Sequence, residues 1–257
     1  MIRFIAAALA CAVVSGPALA QLPEPLEAAL SVQPREVRPS GLDFRLENDG
    51  EGVTVRVDLS AGEPRYTLLE PAESDLTEIE RGLWEDFLDP EGDAFVEEDA
   101  ENGESGGSLI EPVNLRSVVG DSATLEREEA GLLVYRFTPQ AMPMGDDDDP
   151  MMARLGEHLT GEIAVDPVRG EPAWLRLSAP ESFKPHMAVR ISDFALSQTF
   201  VHEPALAGPR LQRLEMGLSG SAAFQQFSQA MVMEFSNMVF AGSQSQPDDL
   251  GESAESP

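Results

Sequence analysis

Alternating apolar and polar positions predict a β-hairpin early in the chain. Leu42, Phe44 and Leu46 alternate with polar residues, residues 48–50 (Asn-Asp-Gly) form a turn, and residues 53–59 alternate again. Period-two alternation on both sides of a Gly-containing turn is typical of two antiparallel strands. Residues 66–69 predict a third strand.

The second half of the chain predicts a longer series of strands. A second hairpin is expected at residues 123–128 and 132–138, and it is followed by six runs with apolar residues at alternate positions. These runs are residues 161–166, 171–177, 188–194, 197–202, 210–219 and 222–238. Their apolar residues are numerous enough to cover one face of a sheet, and such a face must pack against another layer.

Helical periodicity marks a smaller number of segments. Residues 75–88 place Leu76, Ile79, Leu83 and Phe87 on one face, with Ser74 as the expected N-cap. Shorter helices are predicted at residues 24–30, 109–119 and 150–159, the last with proline at its first position. Strands and helices together predict an α+β fold.

The first twenty residues have the features of a secretory signal peptide. Arg3 precedes an apolar run at residues 4–14, and residues 18–20 (Ala-Leu-Ala) form a small-x-small cleavage site. The run is too short to span a bilayer. The only cysteine, Cys11, lies inside this segment, so the mature chain contains no disulfide. We therefore expect a periplasmic protein with a lead-in at 21–40, a domain at 41–240 and a disordered tail at 241–257.

The chain is strongly acidic. It has 17 Lys and Arg against 46 Asp and Glu, a net charge of −29, which disfavours nucleic acid as a partner. The acids concentrate in two predicted loops, residues 89–107 and 139–149. A solvated, disordered loop is the favoured interpretation of each, and calcium binding or a basic protein partner is the alternative. Calcium binding is less favoured for the first loop, because the glycine of residues 89–93 falls two positions too early for an EF-hand.

The sequence contains no pattern typical of an enzyme. His158, His186 and His202 lie in different predicted elements, and no phosphate-binding, dinucleotide-binding or nucleophile-elbow motif is present. We therefore expect no catalytic residue, no metal and no cofactor. An acid-dependent hydrolase is the least favoured interpretation, since paired carboxylates are too common in this chain to be informative.

Methionine and phenylalanine are the more informative residues. They concentrate in the last strands, where they either form an ordinary core or line a cavity for acyl chains. The candidate cavity residues are Leu83, Trp84, Phe87, Met151, Met152, Phe194, Met216, Phe224, Phe227, Met231, Met233 and Phe235.

Three short segments carry a resemblance to a known family. Residues 159–167 (LTGEIAVDP) are followed by a turn and by residues 172–177 (PAWLRL), and the last strand ends in Phe-Ser-Asn-Met at residues 235–238. This arrangement resembles the periplasmic lipoprotein-carrier (LolA/LolB) superfamily. The resemblance implies an unclosed antiparallel half-barrel, a helical lid and an apolar cavity between them. It also implies an early arginine that latches the lid, for which Arg45 and Arg56 are the candidates.

Taken together, these features predict a strongly curved, mostly antiparallel sheet of about nine to eleven strands with two or three helices on its concave face. The expected function is a non-enzymatic periplasmic carrier or binding protein for a lipid or a lipoprotein acyl chain, acting as a monomer without a transmembrane segment. The alternative is an envelope interaction module with a filled core, whose acidic loops bind a basic partner.

Overall fold

A computed structural model describes residues 22–142 and 156–240, apart from residues 36, 38, 62–63, 89–113, 187–188 and 224. This part of the chain contains three α-helices and eleven strands. The helices are α1 (Glu24–Leu30), α2 (Glu78–Leu88) and α3 (Leu115–Val119). The strands are β1 (Pro39–Asn48), β2 (Glu51–Asp58), β3 (Arg65–Glu70), β4 (Thr124–Glu129), β5 (Leu132–Phe137), β6 (Thr160–Asp166), β7 (Glu171–Ser178), β8 (Phe183–His186), β9 (Val189–Glu203), β10 (Gly208–Ala222) and β11 (Gln225–Phe240).

All strands belong to one antiparallel sheet. Its order is β3-β2-β1-β11-β10-β9-β7-β6-β5-β4, and β8 pairs with β9 beside this path. The sheet does not close, because β3 and β4 end it on opposite sides. The predicted antiparallel sheet of nine to eleven strands is confirmed. The predicted signal peptide, the acidic loop at 89–107 and the tail at 241–257 lie outside the described residues.

The first hairpin forms as the sequence predicts. Asp49 and Gly50 have φ angles of 51° and 90°, the left-handed values that a two-residue turn requires at both positions. The turn is also attached to β11: the backbone N–H of Asp49 donates to the carbonyl of Ala230, and the N–H of Ala230 donates to Oδ1 of Asp49, both at 2.8 Å. These two long-range hydrogen bonds therefore help to hold the turn of the first hairpin against the last strand.

Two strands of the last third, β9 and β10, are longer than predicted. Residues 188–194 and 197–202 were expected as two strands, but they form one strand, β9, of 15 residues. Alternation continues through the expected break, because Phe194, Leu196 and Gln198 are all buried on the same side. Strand β8, with only four residues and Pro185 among them, lacks a pattern long enough to be recognised.

Helix α2 begins later than predicted. Residues Glu73–Asp75 form a separate 3₁₀ turn, and α2 starts at Glu78, so Ser74 is not its N-cap. Thr77 and Glu80 form a capping box instead: the Thr77 N–H donates to Oε2 of Glu80 at 2.9 Å, and the Glu80 N–H donates to the Thr77 hydroxyl at 3.2 Å. Within α2, Ile79 is 46% exposed, whereas Phe87 is buried, so the predicted apolar face is covered only in part.

The other two predicted helices are described only in part. Helix α3 ends before Gly120, as expected, and Asn114 caps it by accepting a hydrogen bond from the Ser117 N–H at 3.3 Å. Residues 109–113 and 150–155 lie outside the described residues. The prediction of a helix at 150–159 therefore stays a prediction.

The pairing register separates the sheet into two faces. We call the side that carries Leu42, Phe44, Val55 and Phe235 the core face, and the opposite side the outer face. Helix α2 packs on β2 and β3, while α1 packs on β6 and β7. The two helices therefore lie towards opposite ends of the sheet, and the long strands β9, β10 and β11 run between them.

The close approach of Phe137 explains why position 161, near the start of the family-like segment, is a glycine. It lies opposite Phe137 on β5, and a Cβ atom added to Gly161 would lie 2.3 Å from Cζ of Phe137, whose side chain is 3% exposed. We expect Gly161→Ala to lower the free energy of unfolding by about 1–3 kcal/mol, because the buried ring must move. Urea unfolding measures this change.

Gly217 provides the matched control for that substitution. It lies inside β10, but an added Cβ would meet no atom within 4 Å. Gly217→Ala is expected to be neutral or slightly stabilising, because it only restricts the unfolded chain. Equal effects of the two substitutions would contradict a special role for the contact between Gly161 and Phe137.

Candidate functional site

The structure divides the predicted cavity residues into three groups. Six are partly exposed: Leu83, Trp84, Met216, Phe227, Met231 and Met233. Three are buried: Phe87, Phe194 and Phe235. Met151, Met152 and Phe224 lie outside the described residues.

Aromatic rings fill the space beneath α2. The Phe44 ring centroid lies 5.0 Å from that of Phe235 and 5.6 Å from that of Phe87, and Tyr66 lies 5.9 Å from Phe87. Pairs at these separations are in direct contact, and they connect α2 with β1, β3 and β11. This end of the core face is therefore occupied by the protein's own side chains.

Beyond this cluster, the core face carries partly exposed apolar side chains. Met231 is the cross-strand partner of Met216, and Met233 is the partner of both Leu46 and Leu214. Leu218 and Phe227 continue the surface along β10 and β11. We call Leu46, Met216, Leu218, Phe227, Met231 and Met233 the apolar strip; every one of them is partly exposed.

The sequence prediction missed two members of this strip. Leu46 and Leu218 are ordinary alternating residues, and nothing in their local pattern distinguishes them from the buried Leu42 and Leu214. Only the register of β1, β10 and β11 brings them beside the methionines. Unbranched, polarizable methionine side chains adapt to ligands of different shape, so the strip can accept an apolar chain.

A buried glutamine lies on the same face. Gln198 on β9 is 1% exposed, and its cross-strand neighbours are Leu175 on β7 and Leu214 on β10. Its Oε1 atom has no hydrogen-bond partner in the described part of the protein. An unpaired buried acceptor costs about 1–3 kcal/mol, so this position is unusual in an otherwise apolar layer.

The outer face differs completely in chemistry. Arg127 donates to both carboxylate oxygens of Glu162, at 3.2 and 3.1 Å, and Arg136 lies 3.4 Å from the same carboxylate. These hydrogen bonds, those from Arg127 first, hold the pKa of Glu162 below its ordinary value against the effect of burial. A groove of about 600 Å³ crosses this region, beside Arg176, whose guanidinium lies 4.3 Å from the Trp174 ring centroid.

The two candidate latch arginines also lie on the outer face. Arg45 donates to Glu47 at 3.0 Å, and Arg56 binds both oxygens of Asp43, at 2.7 and 2.9 Å. Asn237 donates to Oδ2 of Asp43 at 2.8 Å, so one buried carboxylate joins β2, β1 and β11. The Asn237 of the family-like segment therefore contributes to strand pairing here.

Asp43 makes a pH-dependent contribution to stability. The hydrogen bonds from Arg56 lower the pKa of Asp43 most, and the bond from Asn237 adds to this effect, whereas burial raises it. Because the folded pKa lies below the ordinary value, the stabilisation is present above about pH 4 and is lost as pH falls through the folded pKa. We expect Asp43→Asn to destabilise by about 2 kcal/mol at pH 7 and by progressively less below pH 4.

Unfolding by urea at pH 7, 5 and 3 measures this difference. Glu47→Gln is the matched control on the same strand, because its partner Arg45 is 39% exposed and such pairs contribute little. A constant difference between wild type and Asp43→Asn across the three pH values would contradict the role of the charge.

Two of the three histidines have described side-chain contacts. His202 Nδ1 lies 2.9 Å from Oε1 of Glu171, and the His158 ring stacks on Phe183 with centroids 4.4 Å apart. The side chain of His186 is not described. Within the described ranges, no group of three or more His, Cys, Asp or Glu could hold a metal ion.

Comparison of the chain with protein-family models, with curated proteins and with solved structures finds no match. No helix among the described residues has the length and apolar character needed to cross a membrane.

Proposed function

We propose that the protein is a non-enzymatic periplasmic carrier or binding protein for an amphiphile, whose acyl chain lies on the apolar strip. In this proposal the sheet is a strongly curved half-barrel with the helices on its concave face. The observation that carries the proposal is the continuous set of six partly exposed apolar residues on the face that packs against the helices. The resemblance to the lipoprotein-carrier superfamily supports the same interpretation.

Burial of methylene groups supplies the binding energy in this proposal. Each fully buried methylene contributes about 0.8 kcal/mol, which corresponds to about a fourfold change in Kd. A chain on a partly open surface gains less, and a factor between about two and four per added methylene is expected.

The test uses the wild-type protein and a series of fluorescent fatty acids of increasing length. We expect saturable one-to-one binding, with Kd falling as the chain lengthens. Native mass spectrometry of protein purified from the envelope is expected to show a bound amphiphile. Empty protein together with no uptake of any chain length would overturn the proposal.

The filled space beneath α2 favours a second candidate function. The contacts of Phe44 with Phe87 and Phe235 occupy the space beneath α2 with the protein's own side chains. A filled interior of this kind is expected for an interaction module rather than for a carrier. Its acidic loops would then bind a basic protein partner. This candidate predicts capture of a partner that weakens as salt increases and does not change when lipid is added.

A further inference from the structure

The Oε1 atom of Gln198, which has no partner among the described residues, points to the chemistry of the ligand's polar group. We propose that Oε1 of Gln198 accepts a hydrogen bond from an N–H or O–H group of the bound amphiphile. This inference rests on the proposed function and deepens it: the preferred ligand is an amide-linked or hydroxylated acyl compound rather than a simple ester.

The position of Gln198 connects it to the apolar strip. On the core face, Leu214 separates Gln198 from Met233, with β10 lying between β9 and β11. Two strand spacings amount to about 10 Å. Met216 is closer, as the diagonal neighbour of Gln198 at about 7–8 Å. A polar group a few bonds from the acyl chain is therefore close enough to bind the glutamine once the side chains that cover Oε1 move aside, because Gln198 is only 1% exposed.

The described neighbours of Gln198 do not supply the missing donor. Its neighbours along β9 are Leu196 and Phe200, and its neighbours across the sheet are Leu175 and Leu214, all of them buried and apolar. None of these side chains has a hydrogen-bond donor. A leucine or methionine would fill the same volume without an unpaired acceptor, so the amide has no packing role that an apolar residue could not perform.

The preferred ligand class follows from the balance of donors and acceptors. An ester presents only acceptors to Oε1, whereas a secondary amide presents an N–H and a hydroxyl presents an O–H. Binding of the ester leaves Oε1 unpaired, and binding of the amide satisfies it. Sites with a buried polar group reject analogues that lack the matching donor.

The experiment compares two uncharged probes of equal length, N-methyldodecanamide and methyl dodecanoate, by displacement of a fluorescent fatty acid. Wild type, Gln198→Leu and a control, Gln226→Leu, are titrated with both probes. Gln226 is exposed on the outer face of β11 and serves as the matched glutamine. The measured quantity is the ratio of the Kd of the ester to the Kd of the amide.

We expect this ratio to fall by about three- to tenfold in Gln198→Leu and to stay within about twofold in Gln226→Leu. The urea midpoint of Gln198→Leu is expected to equal or exceed that of wild type, because an unpaired buried acceptor has been removed. If Gln198→Leu does not fold, Gln198→Met is measured instead, since it keeps an unbranched side chain.

Two outcomes would overturn the proposal and are distinguishable from each other. An unchanged ratio in a folded Gln198 variant that still binds both probes would eliminate the hydrogen bond and leave the carrier function intact. Failure of wild type to bind either probe or the fluorescent fatty acid would eliminate the carrier function and this inference together.

Discussion

Replacing Phe235 with alanine is expected to lower the free energy of unfolding by about 3–5 kcal/mol. Phe235 is 1% exposed, and its ring lies 5.0 Å from that of Phe44, which in turn contacts Phe87 of α2. Removing the ring leaves a cavity where β1, β11 and α2 meet, and the surrounding strands cannot close it without breaking their pairing. Urea unfolding of the purified variant measures the loss.

Phe227→Ala is the control on the same strand. Phe227 is partly exposed, so its removal is expected to cost about 1 kcal/mol or less. Similar losses for the two substitutions would contradict a filled core beneath α2. If Phe235→Ala lowers the free energy of unfolding by less than about 1 kcal/mol, the ring lines an open cavity and does not belong to a packed core.

The sequence predicts the elements of this fold better than their limits. Helix α1 is predicted at its observed bounds, and the first hairpin forms around Asp49 and Gly50, because both depend on residues close together in the chain. The start of α2 is wrong by three residues, since Ser74 and Thr77 both have the chemistry of a cap. Only the capping box with Glu80 distinguishes them.

The site depends on contacts between distant residues, and these were not predictable. Leu46 and Met233 are paired across 187 positions of sequence by the β1–β11 register. No local pattern specifies that β11 returns to β1, so the sequence could not assign Leu46 to the apolar strip. The candidate list likewise could not separate the buried Phe235 from the partly exposed Met233, two residues away. Their role as ligand contacts stays a prediction.

Gln198 is a second residue whose importance could not be predicted from the local pattern. A polar residue between Leu196 and Phe200 interrupts the apolar side of β9, and it lies inside the strand predicted at residues 197–202. Nothing in the pattern of residues 197–202 shows that this polar residue is buried, so the sequence could not single it out. Departures from a regular pattern inside an otherwise consistent element are where functional groups are expected.

Introducing two charges into the apolar strip is expected to remove acyl-chain binding. Met216 and Met231 are direct cross-strand partners, and both are partly exposed. In Met216→Asp/Met231→Asp, a bound chain would lose apolar contact area and would desolvate two carboxylates. We expect the Kd for methyl dodecanoate, an uncharged probe, to rise by about 30- to 100-fold, which corresponds to about 2–3 kcal/mol.

Ser228→Asp/Ala230→Asp is the matched control. Both residues are exposed on the outer face of β11, so the control adds the same two charges to the same region of the chain. A neutral variant, Met216→Gln/Met231→Gln, separates polarity from charge and is expected to weaken binding less. If the Asp variant of the strip folds and binds within about twofold of wild type, the acyl chain does not lie on these strands. A loss of binding in the outer-face control would instead attribute the effect to the overall negative charge of the chain.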